Sequence, residues 1–275
     1  MSTARHGWDP AHYGRYAAER DRPFVELMAR VPEVEPRRVV DLGCGPGHGL
    51  RWLRERWPDA EVLGLDSSPE MVAAAREDGS QAEVADLVDW ARGDADPVDL
   101  LVTTATLQWV PDHLELLPDL VARLRPGEGG VLALTVPGNF DEPSHTLRRE
   151  LADRPRYAAH LDGIAAPSSH DPADYLRVLT AAGCVVDAWE TTYLHVLDPA
   201  GTDPDPVFTW VSATGARPTL QALPEGLREE FTIEFQDALR RAYPRSEAGV
   251  VLPFRRVFAV ARRRDGDDGA GARIP

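Results

Sequence analysis

Lysine is missing from this 275-residue chain, whose 30 basic residues are all arginine. Abundance therefore says nothing about an individual arginine, and any role for one must be argued from its position. Cysteine occurs only as Cys44 and Cys184, which gives no metal-ligand spacing and excludes a disulfide framework. Both are expected to be reduced small hydrophobes, with no metal bound. No apolar run approaches the ~20 residues of a membrane span, and the polar N-terminus, broken by Gly7 and Pro10, is no signal peptide. A soluble, cytoplasmic protein is expected. Positive charge is in deficit as well, with a net charge of -15. Polyanion binding needs a basic face, so nucleic acid and membrane are disfavoured as partners.

Glycine, by contrast, is concentrated in one place. Residues 39–50 run from an apolar stretch into a turn with glycine at 43, 45, 47 and 49, and a helical pattern follows at Leu50, Leu53 and Trp57. Such a strand, loop and helix offers close backbone approach and the unpaired N–H groups of a helix start. The dinucleotide fingerprint is G-x-G-x-x-G, whereas here Asp41 opens D-x-G-x-G-x-G. A second strand, 61–65, ends in Asp66, and a third, 82–85, ends in Asp86. Three successive strand ends carrying carboxylates would repel a pyrophosphate. They suit a ligand with a sulfonium, an amino group, a ribose diol and an adenine amine.

That set resembles the S-adenosylmethionine (AdoMet) dependent methyltransferases of the Rossmann-like class. The resemblance implies AdoMet as donor, S-adenosylhomocysteine as product, and a donor site drawn from Asp41, Gly43, Gly45, Gly47, Asp66, Ser67, Asp86, Ala105 and Gln108. Residues 98–103 and 131–136 read as a fourth and fifth strand, with Leu114, Leu117, Val121 and Leu124 on a helix between them. The repeated β-α order predicts a parallel sheet with ligand at the carboxyl ends of its strands.

Outside that repeat the reading is coarser. Asp9 and Pro10 start a helix that aligns Tyr13, Tyr16 and Arg20, and a second helix spans 24–31. Residues 143–151 and 170–179 read as helices, with no clear period between 154 and 169. Residues 184–190 and 192–197 read as two strands, 198–206 as a linker, Leu227, Phe231, Phe235 and Leu239 as one face of a long helix, and 257–261 as a last strand. The expected fold is α/β: a Rossmann-like, seven-stranded, mostly parallel sheet with helices on both faces and a helical cap over the carboxyl ends. A single domain is expected over 1–262, with 8–35, 140–180 and 198–250 forming a substrate cap and 263–275 a disordered tail.

Beyond the donor motifs the chain is similar to the trans-aconitate methyltransferases, from about Trp8 to Arg263. Tyr16-Ala17-Ala18-Glu19-Arg20, Leu107-Gln108-Trp109, Thr191-Thr192-Tyr193 with His195, and Ala213-Thr214-Gly215 with Arg217-Pro218 carry the likeness. His48, Gly49 and Thr104 depart from the family's commoner Asn-Ser and Asn. The resemblance implies transfer of a methyl group to one carboxylate of a tricarboxylic acid. A carboxylate is already ionised at neutral pH, so no general base is needed and no catalytic residue is assigned. The small anionic substrate needs cations, for which position favours Arg20, Arg217 and Arg255, with Tyr13, Trp109, His113 and Tyr193 beside them. A hydroxyl acceptor would instead need a base such as His113 or His170. A non-catalytic AdoMet-binding protein and a nicotinamide enzyme are the other readings. A monomer and a homodimer are equally compatible with the sequence.

Overall fold

The computed structural model describes residues 17–127, 129–164 and 166–264, with side chains from residue 22 onward. Five strands follow the β-α repeat: β1 (Arg38–Leu42), β2 (Glu61–Asp66), β3 (Ala82–Val84), β4 (Leu100–Thr104) and β5 (Val131–Pro137). They lie in the order β3-β2-β1-β4-β5, all parallel. Two long strands, β6 (Cys184–Leu197) and β8 (Gly249–Arg263), complete the sheet antiparallel to β5 in the order β5-β8-β6. A two-residue strand, β7 (Arg245–Ser246), pairs with β8 and makes the sheet eight-stranded instead of seven. Two residues are too few to show an alternation in the sequence.

The first described helix, α1 (Ala17–Arg30), passes through Pro23 without a break, so the helix boundary expected at Phe24 is absent. The repeat supplies α2 (His48–Arg56), α3 (Pro69–Glu77), α4 (Leu87–Arg92) and α5 (Leu117–Ala122). Ser68 caps α3 by accepting from the Met71 amide, and Pro69 follows it, as its sequence suggests. After β5 come α6 (Pro143–Ala152), α7 (Pro155–Ala158), α8 (Pro172–Ala181), α9 (Pro206–Ser212), α10 (Arg217–Ala222) and α11 (Glu225–Ala242).

Three apolar cores follow. One face of the sheet buries Leu101, Leu132 and Val257 against Leu117, Leu120, Tyr175 and Leu179, from α5 and α8. The other buries Val39, Leu100 and Phe258 against Leu27, Met28, Leu50 and Leu53, from α1 and α2. The third gathers Leu151, Tyr157, Trp210, Phe231, Phe235 and Leu239 around Leu197, Val250 and Leu252. β6 and β8 pair without interruption from Cys184↔Arg263 to Leu197↔Val250. They are therefore one continuous ladder where the sequence suggests shorter strands, and their far ends carry the third core. The inserted 140–180 segment divides, since α6 and α7 join that core whereas α8 lies on the sheet.

Candidate functional site

A cleft of about 1590 Å³ opens at the carboxyl ends of the parallel strands. Asp41, Asp66 and Asp86 line it, as do Gly43, Gly45, Ser67, Thr104, Ala105 and Trp109. From the remainder of the chain come Phe24, His160, Thr214, Arg217, Gln221 and Arg256.

Two of the three strand-end acids are held by main-chain amides. Asp66 Oδ2 accepts from the Gly45 amide and Oδ1 from the Ser68 amide, both at 2.9 Å. Burial raises its pKa, and the amides of Ser68, Gly45 and Ser67 work against that rise. Asp86 caps α4, its Oδ1 accepting from Val88 at 2.8 Å and Asp89 at 3.1 Å. Asp41 differs from both. It is 2 % exposed and its Oδ1 has no hydrogen-bond partner. Burial, and secondarily the Asp66 charge, push its pKa up to about 7.

Two turns brace each other beneath these acids. Gly43 has φ +77°, and a Cβ there would stand 2.0 Å from Thr106 Oγ1. The close approach of the loops after β1 and β4 thus requires glycine. Ala105 also has positive φ, at 54°, and is held by its N–H bonding to the Thr135 carbonyl at 2.9 Å. Gln108 Nε2 donates to the Ala105 carbonyl at 2.6 Å. Gln108 is expected in the donor site, yet its side chain is buried behind this turn and does not line the cleft. Gly47, with φ 93°, precedes α2, whose start faces the cleft at His48 and Gly49. Over Gly45 a Cβ would meet nothing within 4 Å, so the loop surface is open.

The residues expected at the acceptor side divide. Trp109 and Arg217 line the cleft, and burial lowers the Arg217 pKa. Tyr13 lies outside the described residues, as does the side chain of Arg20. His113 is 0 % exposed, and its Nε2 lies 2.7 Å from the Tyr175 hydroxyl, away from the cleft. Burial, with the neighbouring His170, lowers its pKa to about 4. His170 packs edge-on against His113, and neither histidine reaches the cleft. Tyr193 does not line the cleft either; its hydroxyl donates to Glu26. Arg255 is bound to Asp171 at 2.7 Å and to Glu190, on the face of β8 turned from the cleft. The residue facing the cleft is its neighbour Arg256, 8 % exposed, because side chains alternate along a strand. Sequence reasoning missed Arg256 for want of the strand's phase. It missed His160 because residues 154–169 carry no period.

An open glycine loop, an orphaned buried carboxylate and two further acids fit a cationic ligand with hydroxyl and amino groups. With the β3-β2-β1-β4-β5-β8-β6 order, they define a Rossmann-like methyltransferase fold. The solved structures agree. A putative sarcosine dimethylglycine methyltransferase from Galdieria sulphuraria matches with TM-score 0.53 at 14 % identity, over 94 % of this chain and 92 % of that one. A plantazolicin methyltransferase in complex with S-adenosylhomocysteine matches with TM-score 0.51 at 14 % identity, over 92 % and 88 %.

The chain belongs to the methyltransferase-domain family, whose model matches residues 13–188. Among curated relatives, a trans-aconitate 2-methyltransferase from Streptomyces avermitilis is 49 % identical over 96 % of this chain and 99 % of its own length. Another of that name, from Streptomyces coelicolor, is 48 % identical over 94 % and 88 %. No helix among the described residues is long and apolar enough to cross a membrane.

Proposed function

We propose that the chain is an AdoMet-dependent carboxyl O-methyltransferase whose acceptor is trans-aconitate or a similar tricarboxylic acid, released as a monomethyl ester. The observation that carries this reading is the division of charge across one cleft. The acids stand at the ends of β1, β2 and β3, and Arg256 stands on β8, three strands beyond β1. At a strand spacing of about 4.8 Å that is roughly 14 Å. A cation at one end and a polyanion at the other then lie side by side. The names of relatives near half identity supply the acid.

Asp41, Asp66, Asp86 and the loop at Gly43 and Gly45 would hold AdoMet. When bound, it supplies a methyl group carried on a sulfonium. The acceptor carboxylate is ionised at neutral pH and brings its own nucleophile. The chain's residues are left with binding, orienting and excluding water, a positioning contribution that reaches ~7–11 kcal/mol. Arg217 and Arg256 would grip the carboxylates that do not react, each with paired hydrogen bonds, and Trp109 would bound the pocket. The burial of His113, away from the cleft, removes one of the two bases on which a hydroxyl acceptor would rely; His170, packed against it, is the other. The inserted segments beside the third core form the substrate cap, and the acidic chain works on a small molecule, without nucleic acid.

The test is transfer of labelled methyl from AdoMet to a panel of di- and tricarboxylic acids. A labelled ester of trans-aconitate is expected. Turnover of a phenol or an amine with no ester formed would sink the reading.

A further inference from the structure

The Thr191-Thr192-Tyr193 segment, distinctive in sequence, has no place in the cleft. Its side chains point elsewhere. Trp189 Nε1 donates to Glu26 Oε1 at 3.0 Å, Thr191 Oγ1 donates to the same oxygen at 2.6 Å, and the Tyr193 hydroxyl donates to Oε2. These three residues are two apart on β6 and so share one face of the strand.

The helix opposite is patterned to match. Arg22, Glu26 and Arg30 are four apart on α1 and form one row. The Arg22 guanidinium lies 5.1 Å from the Tyr193 ring centre and that of Arg30 4.7 Å from the Trp189 ring centre. Arg30 also pairs with Asp187 at 2.9 Å. Eight helical residues advance about 12 Å, and the four strand residues from 193 back to 189 advance about 13 Å. The two rows therefore stay in register, antiparallel, from end to end. Burial works against the Glu26 carboxylate, but Thr191, Tyr193, Trp189 and Arg30 together hold its pKa below the usual range.

The same helix reaches the donor loop. Pro23, Phe24 and Val25 form part of the cleft wall. Phe24 stands so close to the loop that a Cβ on Gly49 would lie 3.0 Å from its Cε2 and 3.0 Å from Asp41 Oδ2. Its ring meets Trp52 of α2 edge-on at 5.5 Å. Glu26 is thus the point at which the far edge of the sheet fixes the wall beside the buried acid.

We propose that Glu26 is a positioning residue for the AdoMet site: clasped by Trp189, Thr191 and Tyr193, it locks α1 to the edge strand and so holds Phe24 against Gly49, beside Asp41. The proposal rests on the AdoMet reading of the cleft and not on the identity of the acceptor.

The experiment compares wild type, Glu26→Ala, Glu26→Gln, Tyr193→Phe and the Glu26→Ala/Tyr193→Phe double variant. AdoMet affinity is read by calorimetry, turnover by labelled methyl transfer, and amide exchange over residues 17–30 by mass spectrometry. Glu26→Ala should weaken AdoMet about tenfold and raise its KM alike, with kcat at saturating donor within about twofold and faster exchange in α1. Glu26→Gln keeps a carbonyl acceptor and should recover most of the affinity. Tyr193→Phe should add nothing in the Glu26→Ala background, as members of one network are not additive. Unchanged AdoMet affinity in Glu26→Ala, or a Tyr193→Phe effect that adds in full, overturns the proposal, even if thermal stability falls. Wild type that binds AdoMet yet esterifies no acid would refute the acceptor and leave the clasp measurable by calorimetry; wild type that ignores AdoMet would refute both.

Discussion

The two sides of the cleft are built differently. On the donor side, Asp66 is held by amides at Gly45 and Ser68, and Asp86 by amides at Val88 and Asp89, so the main chain aims the acids. On the acceptor side, Arg217 comes from α10, Arg256 from β8 and His160 from the loop after α7, brought together only by the packing of distant elements. The donor side should accordingly be most sensitive where a Cβ would intrude on its turns. The acceptor side should respond to individual charges.

The largest effect should come from adding a single carbon to the donor side. In Gly43→Ala the new Cβ meets Thr106 Oγ1, Cγ2 and Cβ at 2.0–2.6 Å, on a backbone with φ +77°. AdoMet affinity should fall at least about a hundredfold, which corresponds to about 2.7 kcal/mol. Gly79→Ala provides the contrast, since Gly79 also has positive φ, at 78°, but nothing lies within 4 Å of its Cβ position. It should cost only about 1–2 kcal/mol of stability from the left-handed backbone and leave AdoMet affinity intact. Calorimetry with circular dichroism on both variants decides, and normal binding by Gly43→Ala would show the loop is not rigid.

Acceptor-side dependence on single charges is sharpest between neighbours. Arg256→Gln should raise the KM for trans-aconitate about a hundredfold, within the about 2–5 kcal/mol lost when a buried charge pair is truncated. Arg255→Gln breaks ion pairs with Asp171 and Glu190, whose side chains are 72 % and 47 % exposed. Pairs of that kind contribute under about 1 kcal/mol, so only a small drop in thermal midpoint is expected, with KM unchanged. Equal effects of the two substitutions on KM would undo the assignment.

That pair also shows which parts of the molecule were legible in sequence. The glycine turn and the acids at Asp41, Asp66 and Asp86 announce themselves because each pattern, an apolar run ending in an acid or in closely spaced glycines, is written within a few consecutive residues. Arg256 is not announced. The last strand read as 257–261, and the observed strand begins at Gly249, so the phase at 255 and 256 was outside the legible stretch. A slip of one residue exchanges the two faces of a strand. Gln108 and His113 flank Trp109 and Pro111, which line the cleft, but their own side chains turn to Ala105 and Tyr175, while Tyr193 turns to Glu26, 167 residues distant. The expected count of seven strands fell one short for a simpler reason, since Arg245 and Ser246 form too short a strand to read.

A dependence on pH follows from Asp41, the one donor-side acid that the main chain does not satisfy. Its folded pKa of about 7 lies above the ordinary 3.8, so below pH ~4 both folded and unfolded chains keep the proton and Asp41 contributes nothing to the pH dependence. Between about pH 4 and 7 the unfolded chain has released it and the folded chain has not. Stability of the ligand-free protein therefore falls as pH rises through that window and levels off above it, by at most on the order of 4 kcal/mol. Asp41→Asn cannot ionise and should escape the loss. Its thermal midpoint should match wild type near pH 4 and exceed it by several degrees at pH 8, measured without AdoMet. A cationic ligand needs the ionised form, so wild-type affinity for AdoMet should climb from pH 6 to pH 8 while that of Asp41→Asn stays low and flat. A wild-type affinity that does not move with pH would mean that Asp41 is ionised before the ligand arrives, and that Phe24 and the loop desolvate it less than their packing implies.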